Sequence, residues 1–500
     1  MPLKTSFYIT TPIYYSNGVP HVGHAYSSFI ADIFFRYYQY NGIDSKFTTG
    51  VDENSQKVVD SAAKLGMSTT DYAQMMAEKH KDVWDGIDIK YTNFIRTTGD
   101  QHKKYVQEIL QKSYENGDIY KGKYSGLYCV GCEAFKKESD LDNGECPDHP
   151  GKPVSQIEEE NYFFKLSKYE DRLLKFYEEN PEWIQPKNRY NEIIEFVKGG
   201  LEDFSVSREG NTVGIPLPFD SDHVTYVWYD ALFSYLTACQ DDESKWWPAD
   251  IHVIGKDIIR FHGIFWPAML WSAGYELPRK ILTTGHFTLD GQKISKSIGN
   301  VIDPVEYCQE YSRDALLLYL LTAFPVGEDG DFDRKQALLT YNAKLANNLG
   351  NLLSRCNALS LKIGGKIHKK QEVNTNIGKG NFEIYQTSMQ DYKIKNALDT
   401  VFGYTDELNK YLDETAPWKI DIETQKEEFE QVLYTVLFHL RKIALMLLPF
   451  FTQKMESLLE RIGTPLDTHT PISTQIEYIP EYFEFGEKYP PLYERIDIHD

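Results

Sequence analysis

Two histidines three positions apart, His21-Val22-Gly23-His24, stand in a Ser/Asn/Gly/Pro-rich stretch just ahead of a helical pattern. A helix N-terminus offers unpaired N–H groups and a partial positive charge, both suited to phosphate. Gly23 lets a ligand come close to the backbone. Imidazoles on either side can donate to phosphate oxygens where charge develops. The plainer reading is a pair of surface histidines beside a glycine. Far along the chain comes Lys293-Ile294-Ser295-Lys296-Ser297, followed by Ile298-Gly299-Asn300. Two lysines in a Ser/Gly loop can swing onto a polyphosphate as mobile point charges. The plainer reading there is a solvated basic loop. Neither motif is a Walker A loop or a dinucleotide GxGxxG, and we find neither of those in the chain.

A third set is Cys129-x2-Cys132 with Cys146-x2-His149. Three thiolates and one imidazole in two short knuckles match tetrahedral zinc, and with all four positions filled by protein the site would be structural and closed. Reduced, unliganded cysteines are the alternative. The remaining Cys239, Cys308 and Cys356 are scattered through apolar helical contexts and read as core fillers. A fourth set, Ile13, Tyr15, Trp228, Ala231, Leu232, Tyr235 and His262, reads on composition either as core or as the wall of an amino-acid pocket.

The elements that must position these groups begin with β-formers over residues 6–13. A turn-rich stretch follows, then apolar residues at helical spacing from Ala25 to Tyr40 and a short strand over Lys46–Thr49. Strand–helix–strand of this length is a βαβ unit and implies a parallel sheet. Such a sheet binds ligands at the carboxyl ends of its strands, where the histidine turn and the Asp52 loop both lie. Residues near 120–225 differ, with paired cysteines, short Tyr/Phe-rich strands and turn dipeptides, and read as an insertion. The α/β pattern resumes at Ile251–Gly255 and again at Lys280–Thr284, which leads into the lysine loop. From about 335 onward long helical stripes dominate, Leu345/Leu349/Leu352/Leu353 and Val432 through Leu448, as in a helix bundle. Residues 470–500 read as a tail wrapped on the bundle or frayed.

The chain has 500 residues, enough for roughly two to four domains and for sizeable cores. A composition 41% hydrophobic and 25% charged excludes a disordered or fibrous chain. The net charge of −21 rules out a general electrostatic grip on nucleic acid, so any such contact must use local patches. Six cysteines make no disulfide framework. No apolar stretch is long enough to cross a bilayer and the N-terminus has no apolar h-region, so no membrane partner and a cytoplasmic location are expected.

Taken together, the two phosphate-suited motifs resemble the HIGH and KMSKS motifs of class I aminoacyl-tRNA synthetases. The residues around them resemble the methionyl-tRNA synthetase family: Ile9-Thr10-Thr11-Pro12-Ile13-Tyr14-Tyr15-Ser16-Asn17-Gly18, Thr49-Gly50-Val51-Asp52-Glu53, Val224 through Leu232, His252 through Asp257, and Phe265 through Met269. The resemblance covers nearly the whole chain. It implies a doubly wound parallel (Rossmann-type) α/β nucleotide-binding domain with a zinc-knuckle connective insertion, followed by an α-helical bundle anticodon-binding domain. The expected boundaries are 1–118 and 226–290 for the two halves of the catalytic domain, 119–225 for the insertion, 291–340 for the KISKS loop and stem-contact region, and 341–500 for the helical domain and tail.

The resemblance further implies ligation of L-methionine to initiator and elongator methionine tRNAs with ATP and Mg2+, and one structural Zn2+ per chain on Cys129, Cys132, Cys146 and His149. His21, His24, Lys293 and Lys296 would be catalytic, and ATP would meet His21, Gly23, His24, Gly255, Asp257, Lys293, Ser295 and Lys296. Asp257 is alternatively a helix N-cap. Methionine would meet Ile13, Tyr15, Asp52, Arg208, Trp228, Ala231, Leu232, Tyr235 and His262, with Asp52 taking the substrate ammonium. Asn351, Arg355 and Trp418 would read the anticodon. Without the resemblance, Trp418 reads as a core anchor.

The sequence departs from the family pattern in three places. The acidic loop carries Asn54-Ser55 where related enzymes commonly have His-Gly, and Ile294 stands where Met is usual. The C-terminal tRNA-binding appendage of many homodimeric members is missing, from which a monomer is expected. The alternatives are a synthetase for another amino acid, or a catalytically silent tRNA-binding or scaffold protein on the same fold.

Overall fold

The computed structural model describes residues 5–129, 134–136, 138–147, 151, 153–209, 213–289, 291–294 and 301–498. Cys132, His149, Ser295 and Lys296 lie outside the described residues. β1 (Ser6–Tyr15) leads through the histidine turn into α1 (Val22–Tyr40) and then β2 (Asp44–Asp52). Each element is longer than its sequence pattern. β1 continues past Ile13 because its ladder to β2 slips between Thr10 and Ile13, a bulge at Pro12, which has no N–H to donate. Beyond the bulge the strands realign, so that Tyr15 lies opposite Asp52. α1 begins at Val22 rather than Ala25 because its cap is a histidine, a residue type outside the usual Ser/Thr/Asp/Asn signal.

The main sheet adds β3 (Asn93–Arg96), β4 (Ile184–Gln185), β5 (Ile251–Gly255) and β6 (Ile281–Thr284). Its order is β3-β2-β1-β5-β6-β4, parallel throughout. The order reverses between β1 and β5, which is the switch point where doubly wound sheets take their ligands.

Two expected boundaries need correction. β4 lies within 119–225, yet it pairs with β6 as the edge strand of the main sheet, so that span is not one separate insertion. Trp183 anchors the edge by donating to the Pro278 carbonyl at 2.6 Å. A strand this short carries no alternation for a pattern to detect. The part of the span that stands apart is antiparallel: Ile119–Cys129 pairs with Val154–Phe164 along its whole length. The boundary at 341 cuts a helical run, because Arg334–Tyr341, a π-helical segment Asn342–Gly350 and Asn351–Ser360 follow one another with helical dihedrals at both junctions.

The C-terminal helices do not pack as a separate body. Phe29, Ile33 and Phe34 of α1, Leu316–Leu321, and Val436–Leu448 share one continuous core. A charge cluster lies in this seam. Asp32 of α1, fully buried, accepts from Arg36 at 2.8 Å and from Arg313 at 3.4 Å. Arg36 also donates to Thr452 Oγ1 at 3.0 Å, and Arg313 to the Phe450 carbonyl at 2.9 Å, which ties the cluster to the last helices. The tail is wrapped rather than frayed. Tyr482–Glu484 pairs with Lys366–His368, and Asn342 exchanges two hydrogen bonds with the Ile496 backbone. Cys239 and Cys356 are buried in the core and Cys308 is half-buried. Among the described residues no helix is long and apolar enough to cross a membrane.

Candidate active site

His21 caps α1: its Nδ1 accepts from the Gly23 N–H at 3.0 Å. His24 reciprocates, its Nδ1 accepting from the His21 N–H at 3.1 Å. This is a capping box built from imidazoles, and it settles the tautomers. With each Nδ1 used as an acceptor, the proton of each neutral ring sits on Nε2, where it is a donor suited to an anion. The rings lie 3.9 Å apart. Gly23 is required by space, since a Cβ there would lie 2.9 Å from His21 Cε1.

The lysine loop is tied to this turn from both flanks. On its N-terminal side, Phe287 meets Tyr26 of α1 edge-on at 5.0 Å. The strand Phe287–Leu289 then pairs with Gln292–Lys293, and Ile294 is buried in the same core as α1. On the C-terminal side, the Ile302 carbonyl accepts from the Val22 N–H at 3.1 Å, the first amide of α1. The described residues on both flanks of the lysine loop therefore meet the same end of α1 that carries the two histidines. Asp257 follows β5 in a short 3-10 turn capped by Gly255, so it is not itself the cap. Its carboxylate lies 3.2 Å from His286 Nε2.

Ile13, Tyr15 and Trp228 are half-buried, whereas Ala231, Leu232, Tyr235 and His262 are buried. Tyr15 and Trp228 meet at right angles at 6.4 Å, and Trp228 stacks on Phe261 at 3.8 Å. Phe261 was not foreseen as a pocket residue, although its place four residues after Asp257 puts both on one side of a helical turn. Deeper in, His262 Nδ1 faces the Ile258 carbonyl at 3.1 Å and must donate to it, so Nε2 accepts from the Tyr235 hydroxyl at 2.8 Å. Burial holds His262 down to about 4, so the ring is neutral. Behind it, Trp266 donates to His252 Nε2 at 3.3 Å, which leaves Nδ1–H for Thr10 at 2.6 Å. Burial again lowers this imidazole.

Asp52 is 4% exposed, at the rim between Tyr15 and the acidic loop. Its carbonyl accepts from both the N–H and the hydroxyl of Ser16, which stitches the ends of β1 and β2. Its neighbour Glu53 is committed to structure, receiving Arg96 at 2.9 Å and the Thr98 hydroxyl. Arg208 donates to Ser205 Oγ and the Ser207 carbonyl, both at 2.9 Å, and lies 4.8 Å over the ring of Tyr226, the residue before the Val227–Leu232 helix.

Far from this cleft, Asn351 is exposed, and Arg355 one turn on donates to Asp413 at 2.6 Å. The Arg355 guanidinium lies 5.0 Å from the Trp418 ring, which is 44% exposed. That exposure overturns the core-anchor reading of Trp418. Of the four zinc candidates, Cys129 and Cys146 are fully buried, Cys129 at the end of a strand and Cys146 just after the Asn143-Gly144 turn. Among the described residues no group of three metal-ligating side chains is assembled.

The family described as tRNA synthetases class I (M) matches residues 7–153 and 149–357. A methionine–tRNA ligase of Caldanaerobacter subterraneus subsp. tengcongensis is 43% identical over 94% of this chain and 75% of its own length. One of Thermotoga maritima is 43% identical over 91% and 75%. The structure of Mycobacterium tuberculosis methionyl-tRNA synthetase in complex with methionyl-adenylate superposes with a TM-score of 0.93 at 34% identity, covering 98% of this chain and all of that one. The sheet order, the lysine-loop flanks meeting the histidine end of α1, and these matches lead to one conclusion: the chain belongs to the methionyl-tRNA synthetases of class I.

Proposed function

We propose that this chain activates L-methionine with ATP and transfers it to methionine tRNAs, with the residues above in the following roles. In the first step a methionine carboxylate oxygen attacks the α-phosphorus of ATP. The α–β phosphoanhydride bond breaks, leaving methionyl-adenylate and pyrophosphate. In the second step a ribose hydroxyl of the terminal adenosine of the tRNA attacks the methionyl carbonyl, and AMP leaves. No enzyme nucleophile is needed, so the protein contributes positioning and charge stabilisation.

The Nε2–H groups of His21 and His24 donate to the phosphates as charge builds, and Lys293 and Lys296 neutralise the departing pyrophosphate beside its Mg2+. Asp257, with Gly255 giving access, holds the ribose. Asp52 accepts the substrate ammonium, and Arg208 stands beside the carboxylate. Ile13, Tyr15, Trp228, Ala231 and Leu232 enclose the thioether, whose soft sulfur suits aromatic walls. Tyr235, its proton committed to His262, closes the floor. The observation that carries this reading is the joining of the two loops: Val22 N–H to the Ile302 carbonyl, and Phe287 on Tyr26.

Asn351, Arg355 and Trp418 take the anticodon, the indole as a stacking platform. Cys129 and Cys146 fit a closed zinc knuckle with Cys132 and His149: both are buried thiols, each opening a two-residue-spaced ligand pair. The metal would serve to fold that tip and takes no part in the chemistry. Amino-acid-dependent pyrophosphate–ATP exchange, run separately with each of the twenty amino acids, tests the central claim. Exchange with methionine well above all others is expected, and exchange with another amino acid or with none would overturn it.

A further inference from the structure

Asn54 is a departure from the family pattern, and the structure gives it a task. The residue is 7% exposed in the turn after β2. Its backbone N–H donates to Asp52 Oδ1 at 3.3 Å. Its side-chain Nδ2 donates to Asp230 Oδ2 at 2.7 Å and to the Thr97 carbonyl at 3.2 Å. Two acceptors face the same nitrogen, so the orientation of the amide is fixed; reversed, its oxygen would confront a carboxylate and a carbonyl. Asp230 is fully buried on the helix Val227–Leu232, which carries Trp228, Ala231 and Leu232. Among the described residues its second oxygen, Oδ1, has no hydrogen-bond partner, and neither does the buried hydroxyl of Ser55, the other departure. The Asn54 amide is therefore the side-chain donor that holds this carboxyl among the described residues. Burial pushes the Asp230 carboxyl up to about 8, against the pull of Asn54 and the Ala231 N–H.

We propose that Asn54 is a positioning residue for methionine: through one backbone and one side-chain bond it sets the Asp52 carboxylate in register with the pocket-wall helix, using Asp230 as its anchor. The inference rests on the reading of Asp52 as the acceptor of the substrate ammonium. Loss of the link lets the carboxylate and the aromatic wall move independently, which weakens methionine binding and leaves the nucleotide end of the cleft alone.

The test uses the full chain and measures initial rates of pyrophosphate–ATP exchange against methionine and ATP separately. Asn54→Asp keeps the shape but removes the N–H donors that meet Asp230 and the Thr97 carbonyl; it is expected to raise the methionine KM about tenfold or more, with the ATP KM within twofold. Asn54→Asp with Asp230→Asn exchanges donor and acceptor across the same gap. This double variant is expected to return the methionine KM to within about threefold of wild type, the remainder reflecting the lost bond to Thr97. A melting temperature of each variant separates misfolding from misplacement. The inference fails if N54D leaves the methionine KM unchanged, if both KM values rise together, or if the exchanged pair, folded, stays as poor as N54D. Asp52→Asn runs beside them. A large methionine KM effect there with silent Asn54 variants sinks only this inference, whereas a silent D52N sinks the ammonium reading itself.

Discussion

Gly23→Ala adds one methyl group, and two known effects predict opposite outcomes. By helix propensity alone the change stabilises α1, since alanine exceeds glycine by up to about 1 kcal/mol. By local space it does harm. The new Cβ lies 2.9 Å from His21 Cε1 and 3.2 Å from Nδ1, closer than a carbon sits to such atoms. The ring must swing off its cap, losing the bond from the Gly23 N–H at a cost of about 0.5–2 kcal/mol. The displaced Nε2–H no longer meets the phosphates, and a misplacement near one ångström costs on the order of a hundredfold in rate. The space effect wins, because the cap lies on the path of the methyl and the propensity gain is smaller than the sum of both losses. Methionine-dependent pyrophosphate exchange is therefore expected to fall by about 10- to 100-fold in kcat, with the methionine KM within about twofold because the thioether pocket is untouched. The melting temperature is expected to stay level or fall. Wild-type exchange with a raised melting temperature would show that propensity governs the position and that the capped imidazoles do not serve the phosphates.

Lys296→Ala is expected to lower exchange tenfold or more, about 1.4 kcal/mol on the barrier, and an unchanged rate would remove the lysine from the mechanism. Trp418→Ala is expected to lower aminoacylation of methionine tRNA tenfold or more, since stacking is worth about 1–3 kcal/mol per base, while exchange falls far less; equal losses in both assays would refute the anticodon assignment. Metal analysis of chain purified without chelator is expected to find about one zinc per molecule, and a folded chain with none would dismiss the knuckle. Acid is expected to destabilise the fold. Burial holds His102, His262 and His439 each to about 4, below the ordinary histidine value, so between about 4 and 6.5 these three rings bind more protons in the unfolded chain than in the folded one, while Asp230, raised to about 8, offsets about one of them. Stability then falls as pH drops through that window, by up to about 1.4 kcal/mol per pH unit for each ring, and a melting temperature flat from pH 7 to 5 would contradict it.

Much of this molecule could be read locally. The stripe along α1, the apolar runs of β1 and β5, and the two motifs at strand ends each carry their signal within a few residues, and the sheet follows from them. What escaped depends on partners distant in sequence. β4 is a strand only because β6 lies beside it, and two residues cannot advertise that. The domain boundary at 341 fell inside a helical run because an apolar stripe resuming across a π-helical segment looks the same as a new helix. The acidic loop was legible as a deviation at Asn54-Ser55, but its meaning lies in Asp230, far along the chain. His21 as a cap was hidden because imidazole so seldom plays that part, and the chemistry and the capping turned out to use opposite nitrogens of one ring.

The Asp32 cluster has a practical consequence for anyone wishing to dissect the molecule. Arg313 and Thr452, which hold that carboxylate and its partner Arg36, belong to segments that a minimal catalytic fragment would discard. A cut before Arg313 would leave the buried Asp32 with only one of its two guanidinium partners, Arg36, and any cut before Thr452 would free Arg36 from the last helices. It would also bare the leucine face that now meets Phe29 and Ile33. Truncation would thus leave a weakened, sticky remnant, so it is a poor instrument for asking what the far end of this protein contributes, and point substitution is the better one.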